Sequence, residues 1–493
     1  MTPVERARSD RVAGGMFWAG LTQALSKGMT AVATLVLARL LMPSDFGLFA
    51  VGTVIINFLD RVKDVGIGAG LIYRKEEWDR LARTGLVVTA GFSTLLAIVT
   101  FVAAPAAEVI FDTPKVTGLV RVLAISLFLS GLAVVPETRL RRALDFRRRL
   151  IPEAVASVVK GTVSITLAAS GYGVWSLAWG QVAGTVVQLV LYWWLASWWP
   201  RVAWDRADAK HLLGYGIPSA SIAVFAVAHE NLDYLMIGLR MTDDDLGNYV
   251  LAFRVPELVI IGICLIVSQV IFPYLSRLQD DREALGKAYL RTLRYLCVIT
   301  VPAGVLLSLL APQLVTTLYA QGWGATVDPL RVLALFTVAY AIGFTAGDVF
   351  KAVGRPGILN SVAMVKLVVL VPGLWWATGR SITWVAVVLL VSNLAQSALK
   401  LEIARRLLNL RMVSTVDALL PSIAASVVMS VIVYLAGMAL PPLPAAAELV
   451  LLGCAGSVSY LLVLRWLDPG VVQGAVGLLR GSIGRSRRAG KTT

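Results

Sequence analysis

Charge is scarce in this chain of 493 residues: Asp, Glu, Lys and Arg together make up 15%, against 57% hydrophobic residues. With a mean hydropathy of +0.76, that composition excludes a soluble globule of this length, because too few polar side chains remain to cover its surface. Cysteine is nearly absent. Cys264, Cys297 and Cys454 fall in or beside apolar runs with no Cys-x-x-Cys spacing, which excludes a disulfide scaffold and a thiolate metal site. The two histidines, His211 and His229, are too few and too far apart for a metal constellation, and His229 reads best as a hydrogen-bonded interior residue. No glycine loop followed by Lys and Ser or Thr is present to cradle a phosphate, so the chain carries no ATPase of its own.

What the chain has instead is long apolar runs. From Gly15 to Trp466, stretches of about twenty apolar residues follow one another with short connections, each long enough to cross about 30 Å of hydrocarbon as a helix. The reading is an all-α polytopic membrane protein with about fourteen transmembrane helices. The expected spans lie near 15–41, 46–71, 84–104, 117–137, 151–170, 173–197, 215–239, 247–272, 293–311, 329–350, 358–378, 382–400, 417–439 and 446–466. The basic start, Arg6 to Arg11, runs straight into a span too long for a signal-peptide core, so the first helix is expected to stay as an anchor.

The chain repeats itself. Arg121-Val122-Leu123-Ala124 recurs as Arg331-Val332-Leu333-Ala334, and each copy opens an apolar span ending in a basic turn, Arg141 to Arg149 and Lys351 to Arg355. At nearly the same offset, Asp45-Phe46-Gly47-Leu48-Phe49 is echoed by Asp245-Leu246-Gly247-Asn248-Tyr249. Spans 1–6 therefore correspond to spans 7–12, two pseudo-symmetric six-helix lobes of the same orientation, as in two-lobed transporters. The expected organisation is a basic cytoplasmic segment (1–14), an N-lobe (15–198), a cytoplasmic linker (199–214), a C-lobe (215–411), spans 13 and 14 (412–467) and a basic cytoplasmic tail (468–493).

Basic residues give the orientation. With the N-terminus inside, the clusters Arg74–Arg83, Arg139–Arg149, Arg201–Lys210, Arg277–Arg294, Lys400–Arg411 and Arg480–Lys491 all fall on the cytoplasmic side, and both termini are cytoplasmic. The formal charge of +15 thus reads as topology and contact with anionic lipid, not as nucleic-acid binding, since the charges are spread over short loops with no soluble fold to present them. Trp193-Trp194 with Trp198-Trp199 reads as an interfacial belt at the cytoplasmic end of span 6. Asp243-Asp244-Asp245 suggests a metal-binding glycosyltransferase loop at first sight, but the loop is too short for a substrate site and Asp245 stands where it caps span 8.

Charges inside the spans carry the functional argument. Lys27, Asp60, Arg61, Lys63, Asp64, Lys160, His229, Glu230, Asp233, Arg254, Glu257 and Lys366 all lie within expected hydrocarbon. At roughly 2.5–3.5 kcal/mol for each central charge, lipid exposure of them all would exceed a typical folding stability, so they pair or face water. Gln23, Lys27, Thr30 and Thr34 make one stripe on span 1. Asn57, Arg61 and Asp64 make another on span 2, and Ser219, Ala223, Ala226, Glu230 and Asp233 a third on span 7. Arg61 with Asp64, and Arg254 with Glu257, stand one turn apart and are either internal ion pairs or cavity charges. Lys27, Lys160 and Lys366 have no acid within a turn, and the last two occupy corresponding spans, 5 and 11. Asp233 suits a structural contact as well as a substrate contact.

The stretches LARLLMPSDFGLFAV from Leu37, VGIGAGLIYRKE from Val65, RRALDFRRR from Arg141, GYGVWSLAWGQ from Gly171, LDYLMIG from Leu232 and LGNYVLAF from Leu246 resemble Wzx-type polysaccharide flippases of the multidrug, oligosaccharidyl-lipid and polysaccharide (MOP) exporter superfamily. The resemblance runs from about residue 10 to 410. It implies a transporter, not an enzyme, with no cofactor or metal, in the inner membrane of a bacterium. Such a protein moves a polyprenyl-diphosphate-linked oligosaccharide between leaflets by alternating access, among membrane lipids and beside polysaccharide polymerase and export proteins. Cavity candidates for the substrate are Gln23, Lys27, Arg61, Lys160, Arg254 and Lys366; candidates for ion coupling are Asp60, Asp64, Glu230, Asp233 and Glu257. The alternative is a multidrug-type cation antiporter of the same superfamily, in which those acids would carry the cation.

The charge asymmetry sets a first prediction. Fusions of green fluorescent protein after Arg411 fluoresce, and alkaline phosphatase fused after Met42 is active outside the membrane; the reverse pattern inverts the orientation.

Overall fold

In hydrocarbon every backbone N–H and C=O must be satisfied within the chain, so apolar runs without strand alternation become helices. The computed structural model describes residues 26–64, 66–73, 78–143, 146–199, 203–214, 229 and 231–470, and among these there is no strand. The helices are α1 (26–40), α2 (Pro43–Lys63), α3 (Ile67–Tyr73), α4 (Trp78–Phe111), α5 (Val116–Arg142), α6 (Phe146–Ala169) and α7 (Val174–Ala196). After α8 (206–214) come α9 (Leu232–Arg240), α10 (Asp243–Pro256), α11 (Gly262–Arg277), α12 (Arg282–Leu309), α13 (Ala311–Leu318), α14 (Val327–Ala352), α15 (Gly357–Thr378), α16 (Ile382–Leu407), α17 (Met412–Ala439) and α18 (Ala445–Leu467). Among the described residues, 11 helices are long and apolar enough to cross a membrane. The protein is a multi-pass membrane protein.

Span 2, expected to run unbroken, is divided. The Asp64 carboxylate accepts the N–H of Gly68 at 2.9 Å and the Asp64 carbonyl that of Ile67 at 2.8 Å, so a new helix starts there. Gly66 turns the chain at φ 69°, a left-handed conformation that glycine adopts without strain. Span 8 is longer than expected: α10 and α11 are joined through a π-helical turn, Glu257–Ile261, directly after Pro256. Proline has no N–H to donate and its ring crowds the preceding turn, which widens the helix at that point.

Contacts divide the chain into two units. One runs to Leu251 and takes in Leu318–Gly322 and Leu374–Ile382; the other holds Ala252–Thr317, Trp323–Gly373 and the chain from Thr383 onward. In the first unit α6 packs on α7, α4 on α5, and α5 on both α7 and α2. Their seams are built from small residues. A Cβ on Gly180 would meet Ser164 Oγ at 1.9 Å, and one on Gly131 would meet Ser93 Oγ at 2.1 Å, so only glycine allows these backbones to approach. On α4 the inward residues Thr89 and Ser93 satisfy their own hydroxyls on preceding carbonyls, while Leu95, Ile98, Val99 and Val102 are exposed. That inversion of the soluble pattern marks the lipid face. In the second unit α12 packs against α14 and α17, and α17 against α18; Met429, Val433, Leu452 and Tyr460 form a shared core, and Tyr460 donates to the Val298 carbonyl at 2.9 Å.

The duplicated motif has a structural reason. Asp45 and Asp245 each sit in the first turn of a helix and accept the backbone N–H three residues earlier, Met42 and Thr242, both at 3.2 Å. Two residues on, the glycines meet the partner helix within the first unit. A Cβ on Gly47 would fall 1.8 Å from the Asp243 carbonyl oxygen, and one on Gly247 1.8 Å from the Pro43 carbonyl oxygen. The approach is reciprocal: each repeat's glycine admits the first residue of the other's helix.

Gly47→Val and Gly247→Val therefore each destabilise the protein by about 1–3 kcal/mol or force α2 and α10 apart. A thermal melt in detergent checks this; a midpoint equal to wild type in both variants would show that the contact is dispensable.

Candidate functional site

The polar groups of the first unit form a track along one side of α6, met by α1, α2, α5 and α7. Lys160, half-buried at the middle of α6, donates from Nζ to Gln181 Oε1 of α7 at 2.5 Å. The ammonium also stands 5.9 Å from the centroid of the Phe49 ring of α2, within the range at which a cation is attracted to a ring face. One turn back, Ser157 Oγ is 2.7 Å from Ser26 Oγ of α1. Then comes Glu153, whose carboxylate lies 3.9 Å from Arg149 and accepts the Tyr192 hydroxyl at 3.5 Å. Arg149 also faces Glu137 of α5 at 3.7 Å.

On α2 the ion pair is Asp60 with Lys63 at 2.5 Å, the lysine side chain 10% exposed and the acid 40%, and Ser130 donates to the same Asp60 oxygen at 3.0 Å. The pairing of Arg61 with Asp64 is not formed. Asp64 is engaged by the Gly68 amide, and Arg61 is exposed with no ion pair among the described residues. Lys27 is likewise exposed on α1, while Thr30 and Thr34 beside it return their hydroxyls to the carbonyls of Ser26 and Thr30. Asp233 is buried and accepts the Tyr249 hydroxyl at 2.9 Å. Gln23 and Glu230 lie outside the described residues.

In the second unit Arg254 and Glu257 do pair, at 3.2 Å, at the entry to the π-helical turn. Lys366, half-buried on α15, stands 6.0 Å from the ring centroid of Phe336 on α14. Lys351 of α14 pairs with the buried Asp348 at 3.3 Å. Lys160 and Lys366 thus share a setting, each half-buried beside a phenylalanine ring.

Sequence reasoning passed over Glu137, Glu153, Gln181 and Tyr192. Glu153, Ser157 and Lys160 stand at i, i+4 and i+7, a spacing visible in the chain, but Glu153 lies close to the basic turn and reads there as part of its solvated end. The tryptophans read as an interfacial belt form a cluster: Trp193 stacks on Trp198 at 6.3 Å and on Trp199 at 5.5 Å, and the guanidinium groups of Arg139 and Arg142 lie over the rings of Trp198 and Trp78.

Residues 36–328 match the family of polysaccharide biosynthesis proteins. The chain belongs to that family. Most of the charges described above fall inside the matched residues; Lys27 and the charges after residue 328, Lys366 among them, fall outside. Relatives of this polysaccharide biosynthesis protein include the succinoglycan biosynthesis transport protein ExoT of Rhizobium meliloti (strain 1021), 23% identical over 373 residues that make up 75% of this chain and 74% of ExoT. The lipopolysaccharide biosynthesis protein WzxC of Escherichia coli (strain K12) is 22% identical, over 74% of this chain and 75% of its own. Among solved structures, the lipid II flippase MurJ in its inward closed conformation superposes with a TM-score of 0.76 over 92% of this chain and 99% of MurJ, at 13% identity. A multidrug resistance MATE transporter of the MOP superfamily, inward-facing, gives 0.63 over 78% and 94%, at 19% identity. These structures share the fold, and the likeness to Wzx-type members of the MOP superfamily that the motifs carry is borne out.

The Asp60–Lys63 pair yields a contrast. Asp60→Asn leaves the buried Lys63 ammonium without its counter-charge and lowers stability by about 1–3 kcal/mol, while Arg61→Gln stays within about 0.5 kcal/mol. Thermal unfolding of the two purified variants compares them; equal midpoints would remove the pair from the account.

Proposed function

We propose that this polysaccharide biosynthesis protein is a flippase, not an enzyme. It moves a polyprenyl-diphosphate-linked oligosaccharide from the inner to the outer leaflet of a bacterial cytoplasmic membrane by alternating access, for assembly of a cell-surface polysaccharide. The observation that carries this reading is the matched pair Lys160 and Lys366, each half-buried in a membrane helix beside a phenylalanine ring. A fixed cation away from bulk water suits a diphosphate: at about 4 Å and an effective dielectric of 20, one lysine contributes on the order of 4 kcal/mol before desolvation is subtracted. Lys27 and Arg61, exposed and without an ion pair among the described residues, add charge on the approach.

The family match and the succinoglycan transport role of ExoT support the saccharide, and the MurJ fold supports a lipid-linked form. The antiporter alternative has less support, because two of its acids are already neutralised: Asp60 by Lys63 and Glu257 by Arg254. Fourteen spans in two six-helix lobes plus a C-terminal pair, with both termini cytoplasmic, complete the reading, together with polymerase and export proteins as downstream partners.

Transfer of a fluorescent polyprenyl-diphosphate oligosaccharide between leaflets of reconstituted liposomes tests it. Wild type transfers the lipid, and Lys160→Ala and Lys27→Ala reduce the rate about tenfold or more, the loss expected of a charge-assisted contact. Full transfer by both lysine variants would refute the cationic site. No transfer by folded wild type under an imposed potential and ion gradients would refute the flippase.

A further inference from the structure

The track on α6 has two chemically different ends. Arg149, Glu153, Ser157 and Lys160 follow one side of the helix, and all four are partly exposed. On the opposite side stand Ile151, Val155 and Val158, each exposed and apolar, which is the lipid-facing side of a membrane helix. The polar side therefore faces the protein interior, where partial exposure means water and not lipid. Toward the middle of the helix the track ends in the Lys160 cation. Toward the other end it is mixed in sign, with Glu137 and Glu153 about Arg149.

That mixed end is loosely made. The Arg149 distances to its two carboxylates are 3.7 Å and 3.9 Å, whereas Arg405 grips Glu402 of the same chain with both arms at 2.7 Å. Arg149 Nε is buried and makes no hydrogen bond. The guanidinium can only donate and the two carboxylates only accept, so the cluster presents both kinds of hydrogen-bonding group side by side. The ligand class follows from the signs. A phosphate would be repelled by Glu137 and Glu153 and takes the Lys160 end. A sugar hydroxyl donates and accepts at once, so it can bond a carboxylate and the guanidinium together.

We propose that Arg149, Glu153 and Ser157, with Glu137 opposite, form a subsite for the neutral saccharide of the substrate, next to the diphosphate held at Lys160. This inference rests on the flippase reading and adds to it the residues that sense the sugar. The subsite is a specificity device: it acts in proportion to the saccharide's length, whereas Lys160 acts on every diphosphate lipid alike.

The experiment compares two probes in liposomes, a polyprenyl-diphosphate monosaccharide and the same lipid carrying a neutral oligosaccharide, and reads the ratio of the oligosaccharide rate to the monosaccharide rate. In Glu153→Gln that ratio falls about tenfold, and in Ser157→Val about threefold, as expected for losing a charged and a neutral hydrogen bond. In Lys160→Ala both rates fall together and the ratio holds. Because each protein is its own control through the monosaccharide lipid, a misfolded variant loses both rates and is distinguished from a lost subsite; Ser157→Val, which leaves every charge in place, then decides. A ratio unchanged from wild type in both variants overturns the subsite. Wild type that moves neither lipid overturns the flippase reading, and this inference with it.

Discussion

Hydrocarbon offers no partner to a polar group, and most of what is distinctive in this molecule follows from that. The polar groups within its helices find three kinds of partner. Some pair with the opposite charge one turn away, as Asp60 with Lys63 and Arg254 with Glu257. Others take neutral donors or acceptors, as Asp64 from the Gly68 amide and Lys160 on Gln181. Hydroxyls such as those of Thr89, Ser93, Thr30 and Thr34 fold back on their own helix. The cations left outside these arrangements, Lys27 and Arg61, are exposed, and an exposed charge is tolerable within hydrocarbon only against water.

Because apolar burial distinguishes poorly between a helix and lipid, close packing supplies what hydrophobicity does not. Glycine and serine seams bring α4 onto α5 and α6 onto α7, and the duplicated Asp-x-Gly motif does the same for α2 and α10 with one geometry used twice. The carboxylate ties down the helix start, and the glycine two residues later admits the neighbouring backbone. A motif that looks like a loose apolar pattern in the chain is therefore a jointed contact, and its recurrence has a mechanical cause.

The proposed transport role draws on an asymmetry of charge within one track. A lipid-linked saccharide has an anionic head next to a neutral, hydroxyl-rich chain. The α6 track has a cation next to a balanced set of acids and a base. Acids in the track, which argue against a purely anion-binding wall, fit once the two ends of the substrate are assigned to different residues.

Sequence alone determined the membrane class, most of the spans, the repeated motifs and the absence of any acid within a turn of Lys160 or Lys366, because these depend on local composition and on the spacing that puts residues on one helix face. It also reached the Arg254–Glu257 pair, one turn apart on a single helix. It named Arg61 with Asp64 as an ion pair or as cavity charges and passed over Asp60–Lys63, the pair that forms. Both spacings are possible on one helix, and the choice fell to Gly66 and the Gly68 amide, which draw Asp64 into a turn. Nor did it find Gln181, Glu137 or Tyr192 around the α6 track. These residues come from neighbouring helices, and the packing that brings them to Lys160, Arg149 and Glu153 is made by glycines whose role appears only when two backbones meet. Periodicity tells which side of a helix is polar, and only the tertiary structure decides what that side faces.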